Sequence, residues 1–168
     1  MRIAVISDTH DRLPGHVTAA IAEADEIWHL GDVCMPSIVD TLKMLGPKIR
    51  VVRGNCDECA VWPLTLDFQL AGHRFHLEHI PSRVAPAGAD FFLHGHTHVP
   101  RDETIGGIRF LNPGCITRPI AAPPPATPGC ASVRNRPWNG NWCACRASLL
   151  EGADFMRRDS VSKNRPSS

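Results

Sequence analysis

The chain has 168 residues, 43% hydrophobic and 21% charged, which suits one domain with a substantial core and excludes a chain too polar to fold. A formal net charge of +1 leaves no field that would point to nucleic acid or a membrane surface as partner. Seven cysteines at irregular spacing make no secreted disulfide framework, the apolar runs are only strand-sized, and Met1-Arg2-Ile3-Ala4-Val5 enters a strand directly, so a cytoplasmic protein with reduced thiols is expected.

Ile3-Ala4-Val5-Ile6 is a continuous apolar run that ends in Ser7-Asp8-Thr9-His10-Asp11, the pattern of a central parallel strand opening into a polar loop. Val17, Ala20, Ile21 and Ala24 then recur at helical spacing behind Pro14-Gly15. A second strand, residues 26–30, ends at Gly31-Asp32, and Ile38, Leu42 and Leu45 mark a second helix between Pro36-Ser37 and Gly46-Pro47. A third strand from Ile49 to Arg53 ends in Gly54-Asn55-Cys56-Asp57. Sites in open α/β sheets lie beyond the carboxyl ends of the strands, so these three loops are expected to converge.

From Leu66 onward the alternation of strand and helix gives way to strand pairs. Leu66 to Leu70 and Arg74 to His79 flank a turn at Ala71-Gly72-His73, and a short strand from Asp90 to Leu93 leads into His94-Gly95-His96-Thr97-His98. Arg101 to Ile105 and Ile108 to Leu111 form a further hairpin across Gly106-Gly107, ending at Asn112-Pro113-Gly114. The expected fold class is mixed α/β (α+β), a two-sheet β-sandwich flanked by helices and formed by residues 1–120. Residues 121–168 are proline clusters, irregular cysteine-rich sequence and a polar basic tail; they are expected to be an irregular extension, partly disordered or divergent, as a shifted reading frame would make it.

The strand-end groups are Asp8, His10, Asp32, Asn55, His79, His96 and His98. Residues two apart in an extended segment project to one side, so His96 and His98 are expected to aim at one small volume. Any of these residues alone would read as a loop cap or a turn residue. Together, seven oxygen and nitrogen donors exceed one tetrahedral zinc but suit two five- or six-coordinate divalent ions sharing a carboxylate. The donors include no thiolate, which suits manganese foremost, with iron, nickel or zinc as alternatives. His94 and His29 read as partners of the donor residues, whereas His16, His73 and His76 read as surface or hairpin residues. Arg12, Arg53 and Arg118 are candidates for contacting a phosphate.

In order, the patterns D-x-H, G-D, G-N, H and G-H-x-H resemble the calcineurin-like metallophosphoesterases. The segments Ile6 to His10, Gly54 to Asp57, Asn112 to Gly114 and Thr117 to Pro119 are similar to the small bacterial and archaeal phosphodiesterases of that superfamily. The resemblance implies a phosphoric ester hydrolase acting on a small phosphodiester, by attack of a metal-bridging hydroxide at a dinuclear site. It further implies that Asp8, His10 and His98 hold one ion, that Asn55, His79 and His96 hold the other, and that Asp32 bridges. Relatives efficient on monoesters carry histidine where this chain has Cys56, so Cys56 joins the catalytic residues and the resemblance favours diesters. A phosphomonoesterase, and a non-catalytic interaction scaffold like the retromer subunit of the same fold, are the alternatives. A homo-oligomer is compatible with the sequence. The chain departs from the family pattern at Ile80 and in the short segment that follows it, and again at the C-terminus.

Overall fold

The computed structural model describes residues 1–117 and the backbone of Ser148–Glu151. Parallel strands β1 (Arg2–Ile6), β2 (Glu26–His29) and β3 (Lys48–Val51) alternate with helices α1 (Gly15–Ile21) and α2 (Ser37–Met44). Then come β4 (Thr65–Leu70), β5 (His73–Glu78), β6 (Phe91–Leu93), β7 (Arg101–Ile105), β8 (Ile108–Asn112) and β9 (Ser148–Glu151). Two sheets result, ordered β3-β2-β1-β9 and β4-β5-β6-β8-β7.

Side-chain alternation along β1 explains the layering. Ala4 and Ile6 pack with Val17, Ile21 and Leu42 of the helices, whereas Ile3 and Val5 face the second sheet. Both helices of the described residues therefore cover the outer face of the first sheet. Between the sheets, Trp28 meets Phe75 edge-on at 5.0 Å and Phe75 stacks on Phe91 at 4.7 Å, with Leu77, Leu93 and Leu111 continuing the layer. Truncating such a buried aromatic to alanine costs about 3–5 kcal/mol. Trp28 keeps its polar edge satisfied, because its indole N–H donates to Glu26 Oε2 at 2.8 Å.

The hairpins turn where expected. Ala71 and Gly72 have φ of 49° and 82°, and Gly106 and Gly107 have 58° and 88°, the left-handed pairs that suit two-residue turns between twisted strands. Within the stretch expected to lack regular structure, β9 pairs antiparallel with β1, Ile3 opposite Leu150. Four residues are too few to show a period, and the pairing is supplied by the open edge of β1. The other residues of 118–168, including Arg118, Cys130, Cys143 and Cys145, lie outside the described residues.

Strand direction creates the site. β1, β2 and β3 run parallel to one another, as do β5, β6 and β8. The carboxyl ends of both sets meet at one end of the sandwich, which carries the loops after β1, β2, β3, β5 and β6.

Candidate metal centre

All seven donors meet there, in a continuous chain of contacts. His98 Nε2 is 3.1 Å from Asp8 Oδ1 and 3.4 Å from His10 Nε2. His10 Nε2 stands 3.9 Å from Asp32 Oδ2, while the other Asp32 oxygen is 3.2 Å from His79 Nε2. His79 Nε2 is 3.1 Å from Asn55 Oδ1, which lies 2.9 Å from His96 Nδ1. Asp32 is thus at the middle, one oxygen toward each group. Asp8, Asp32 and His79 are buried at the base, and Asn55, Cys56 and His96 are exposed at the rim, so the mouth is open.

The backbone of the His-x-His segment differs from the extended geometry expected. His96 and His98 have φ of 66° and 58°, and the left-handed turns send the two rings to different partners rather than to one point. Asp8, His10 and Asp32 are left-handed as well, at 56°, 43° and 55°. Each such residue costs on the order of 1–3 kcal/mol and persists only where its surroundings impose it. Five of the seven donors carry this strain.

Two glycines show how tightly the loops close. A Cβ on Gly54 would lie 2.2 Å from Asp32 Oδ1, and one on Gly95 would lie 2.1 Å from Ser7 Oγ and 3.0 Å from Asp8 Oδ2. The glycine before Asn55 and the glycine before His96 are therefore places where the donor loops touch backbone to side chain.

Hydrogen bonds fix which atoms face inward. The backbone carbonyl of Leu30 accepts from His79 Nδ1 at 2.7 Å, which orients the ring so that Nε2 faces Asp32 and Asn55. Burial opposes ionisation of Asp32. The hydrogen bonds from His79 and from the Cys56 N–H, the latter at 2.9 Å, outweigh it and hold the carboxyl well below its usual range. Burial lowers the His79 pKa, but Asp32 and the Leu30 carbonyl more than reverse this and raise it. Desolvation and the Asp32 carboxylate push the Cys56 thiol up.

Behind the donors lie residues with supporting roles. Asp57, buried, accepts from the N–H groups of Gly54 at 2.7 Å, Asp32 at 3.0 Å and Cys34 at 2.7 Å, tying the β2 and β3 loops together. Asn112 donates to the Gly95 carbonyl at 2.9 Å and to Thr97 Oγ1 at 3.0 Å, clamping the histidine loop. His29 is fully buried, so desolvation pushes its pKa down to about 3. Its neutral ring accepts from the Gly31 N–H through Nδ1 and meets Thr9 Oγ1 at 3.1 Å through Nε2. His94 is buried, which lowers its pKa, and it packs among Gly95, Asn112 and Arg101.

Asp57 and Asn112 sat inside quoted motifs but carried no assigned role, because a loop-to-loop tie has no sequence period. Cys34 and Cys115 likewise carry no role in the sequence reading, which names Cys56 alone of the thiols near the site. Cys34 Sγ is 3.7 Å from His10 Nδ1, Cys56 groups with His10 and Asp32, and Cys115 groups with His10 and His98. Their spacing, 34, 56 and 115, conceals this. His76 is corrected: it is 4% exposed and lies between Asp67 Oδ1 at 2.8 Å and Glu78 Oε2 at 3.3 Å, since it points to the far face of β5. Arg12 is exposed and Arg53 half-buried.

The donor chemistry fits divalent cations. Asp8 Oδ1 has no hydrogen-bond partner among the described residues although Asp8 is 0% exposed, a costly state for a buried carboxylate oxygen and one that a cation relieves. Asp8, Asp32 and His79 also place one donor atom each within 4.8 Å of one another.

A sandwich that gathers carboxylate, amide and imidazole side chains at the carboxyl ends of its parallel strands has the donor chemistry of a divalent-metal site. The calcineurin-like phosphoesterase superfamily domain matches residues 1–136, and the chain belongs to that superfamily. A probable metallophosphoesterase of Methanothermobacter thermautotrophicus is 33% identical over 144 residues, covering 74% of this chain and 82% of the relative. The phosphodiesterase YfcE of Escherichia coli is 29% identical over 157 residues, covering 74% and 84%. The solved E. coli YfcE structure superposes with a TM-score of 0.64 at 28% identity, over 74% of this chain and 85% of that one. Vps29 from Entamoeba histolytica superposes with a TM-score of 0.61 at 25% identity, over 73% and 78%. No helix among the described residues is long and apolar enough to cross a membrane.

Proposed function

We propose that the protein is a cytoplasmic phosphodiesterase that uses two divalent ions, one held by Asp8, His10 and His98, the other by Asn55, His79 and His96, with Asp32 between them. The observation that carries this is the position of Asp32, whose two oxygens face two separate imidazole groups while Asp8 Oδ1 beside them has no hydrogen-bond partner among the described residues. When bound, such ions draw in a phosphate and lower the pKa of a coordinated water toward neutrality. The chain's own residues do the rest. His79 is held in one tautomer by Leu30, Asp32 stays ionised, and Asp57 and Asn112 keep the donor loops in register.

Cys56 supports a diester rather than a monoester as substrate. Its thiol stands at the rim with a raised pKa, so at neutral pH it is a weak proton donor to a leaving group. The relative named as a phosphodiesterase supports the same reading. The likeness to Vps29 leaves an interaction role as a second reading, but the presence of every donor favours chemistry.

Hydrolysis of an aryl phosphodiester with added Mn²⁺ tests the proposal. Turnover that is lost in Asp8→Ala and in His98→Ala is expected. Absence of turnover in the parent protein, or turnover indifferent to both substitutions, refutes it.

A further inference from the structure

We propose that Cys115 supplies a thiolate to the ion held by Asp8, His10 and His98, so that this half of the centre is an oxygen, nitrogen and sulfur site that prefers zinc to manganese. The inference rests on the two-ion reading and deepens it. Cys115 follows Asn112-Pro113-Gly114 at the end of β8, where the Gly114 N–H donates to Asn112 Oδ1 at 2.7 Å and turns the chain under the site. Its sulfur and one ring nitrogen each from His10 and His98 lie within 4.8 Å of one another.

An independent observation marks the same spot. Asp8 Oδ1, fully buried and without a hydrogen-bond partner among the described residues, is 3.1 Å from the same His98 ring. Asp8, His10, His98 and Cys115 thus offer one oxygen, two nitrogens and one sulfur, the donor number and types of a tetrahedral zinc site, before the shared Asp32 is counted. Soft thiolate selects zinc over manganese, which prefers oxygen.

The other two thiols fit the role less well. Cys56 is exposed and accepts from Asn55 Nδ2 at 3.3 Å, and Cys34 faces Nδ1 of His10, the ring nitrogen turned away from His98. Cys115 is 7% exposed, with its S–H donating to the Asp8 backbone carbonyl at 3.3 Å. As the sulfur–metal bond forms, that proton passes to solvent; nothing is oxidised or reduced.

Cobalt(II) substitution reads the ligand directly. The full chain is loaded with cobalt after Cys59, Cys130, Cys143 and Cys145 are each changed to serine, which leaves Cys34, Cys56 and Cys115 as the thiols of the chain. A sulfur-to-cobalt charge-transfer band in the near ultraviolet is expected. It should persist in Cys56→Ser and vanish in Cys115→Ser, while the visible bands of bound cobalt remain. Zinc affinity in Cys115→Ser should fall by at least the 10- to 100-fold, roughly, that loss of an outer partner costs, with manganese affinity unchanged. A charge-transfer band that survives Cys115→Ser overturns the proposal, as does a parent protein that shows cobalt's visible bands without the charge-transfer band. A parent protein that binds no cobalt strikes the two-ion reading itself.

Discussion

Asp57 is the residue whose removal should cost most for its size. Its carboxylate, 9% exposed, takes three backbone N–H groups from two loops: Gly54 at 2.7 Å, Asp32 at 3.0 Å and Cys34 at 2.7 Å. Hydrogen bonds to a charged group are worth about 1.5–3 kcal/mol each, but one shared carboxylate and partial rehydration make the sum less than additive. Asp57→Ala should therefore lose about 3–5 kcal/mol of stability, since it leaves buried donors unsatisfied. For a chain of this length that corresponds to a Tm lower by roughly 6–20 °C. Thermal unfolding in the presence of a chelator measures this without any contribution from metal binding. The surface control Asp40→Ala, which breaks only the exposed pair with Lys43, should stay within about 0.5 kcal/mol of the parent. Because Asp57 also sets the spacing of Asp32 and Asn55, diester hydrolysis by the remaining folded protein should drop about 100-fold for a displacement near 1 Å. An unchanged Tm together with an unchanged rate would show that the two loops are held by something else.

Gly95→Ala should place a methyl group 2.1 Å from Ser7 Oγ, which overpacking values put at about 1–3 kcal/mol; the check is loss of diesterase rate with the protein still folded by circular dichroism. Glu26 gives a pH dependence away from the centre. Burial raises its pKa, but hydrogen bonds from Arg50 and Trp28 and the charges of Arg50 and Lys48 leave it lowered. A lowered carboxyl pKa stabilises the fold fully above the unfolded value and loses that contribution as the pH falls through the folded one. The stability advantage over Glu26→Gln should thus be constant at neutral pH and shrink below the ordinary glutamate range, as denaturant titrations at several pH values would show. Cys56→His replaces a thiol with a group that is a better acid at neutral pH, so monoester turnover should rise; if it does not, leaving-group protonation at this position is not what separates the two substrates.

Much of this was legible in the chain because it is local. The run Ile3 to Ile6, the helical spacing of Ile38 and Leu42, and the left-handed turns at Ala71-Gly72 and Gly106-Gly107 are short-range patterns that the structure contains with shifts of a residue or two at the ends. His96 and His98 depart from the extended-chain expectation for a local reason too: both residues are left-handed, so alternation does not place their rings on one side. His76 was misread because alternation shows that a residue faces away from one core, not whether the opposite face is covered.

By itself the sequence determined the order of strands and helices through β8, the turn chemistry and a candidate set of metal-holding residues, since each depends on neighbours a few positions away. Tertiary structure alone decided which donors stand together: Asp32 between two groups of imidazoles, Asp57 tying loops 25 residues apart, and Cys115 brought beside His10 from across the chain. The physical reason is that two sets of parallel strands end on the same side of a sandwich. That juxtaposition arises from the packing of Trp28, Phe75 and Phe91 between the sheets, not from any spacing in the sequence.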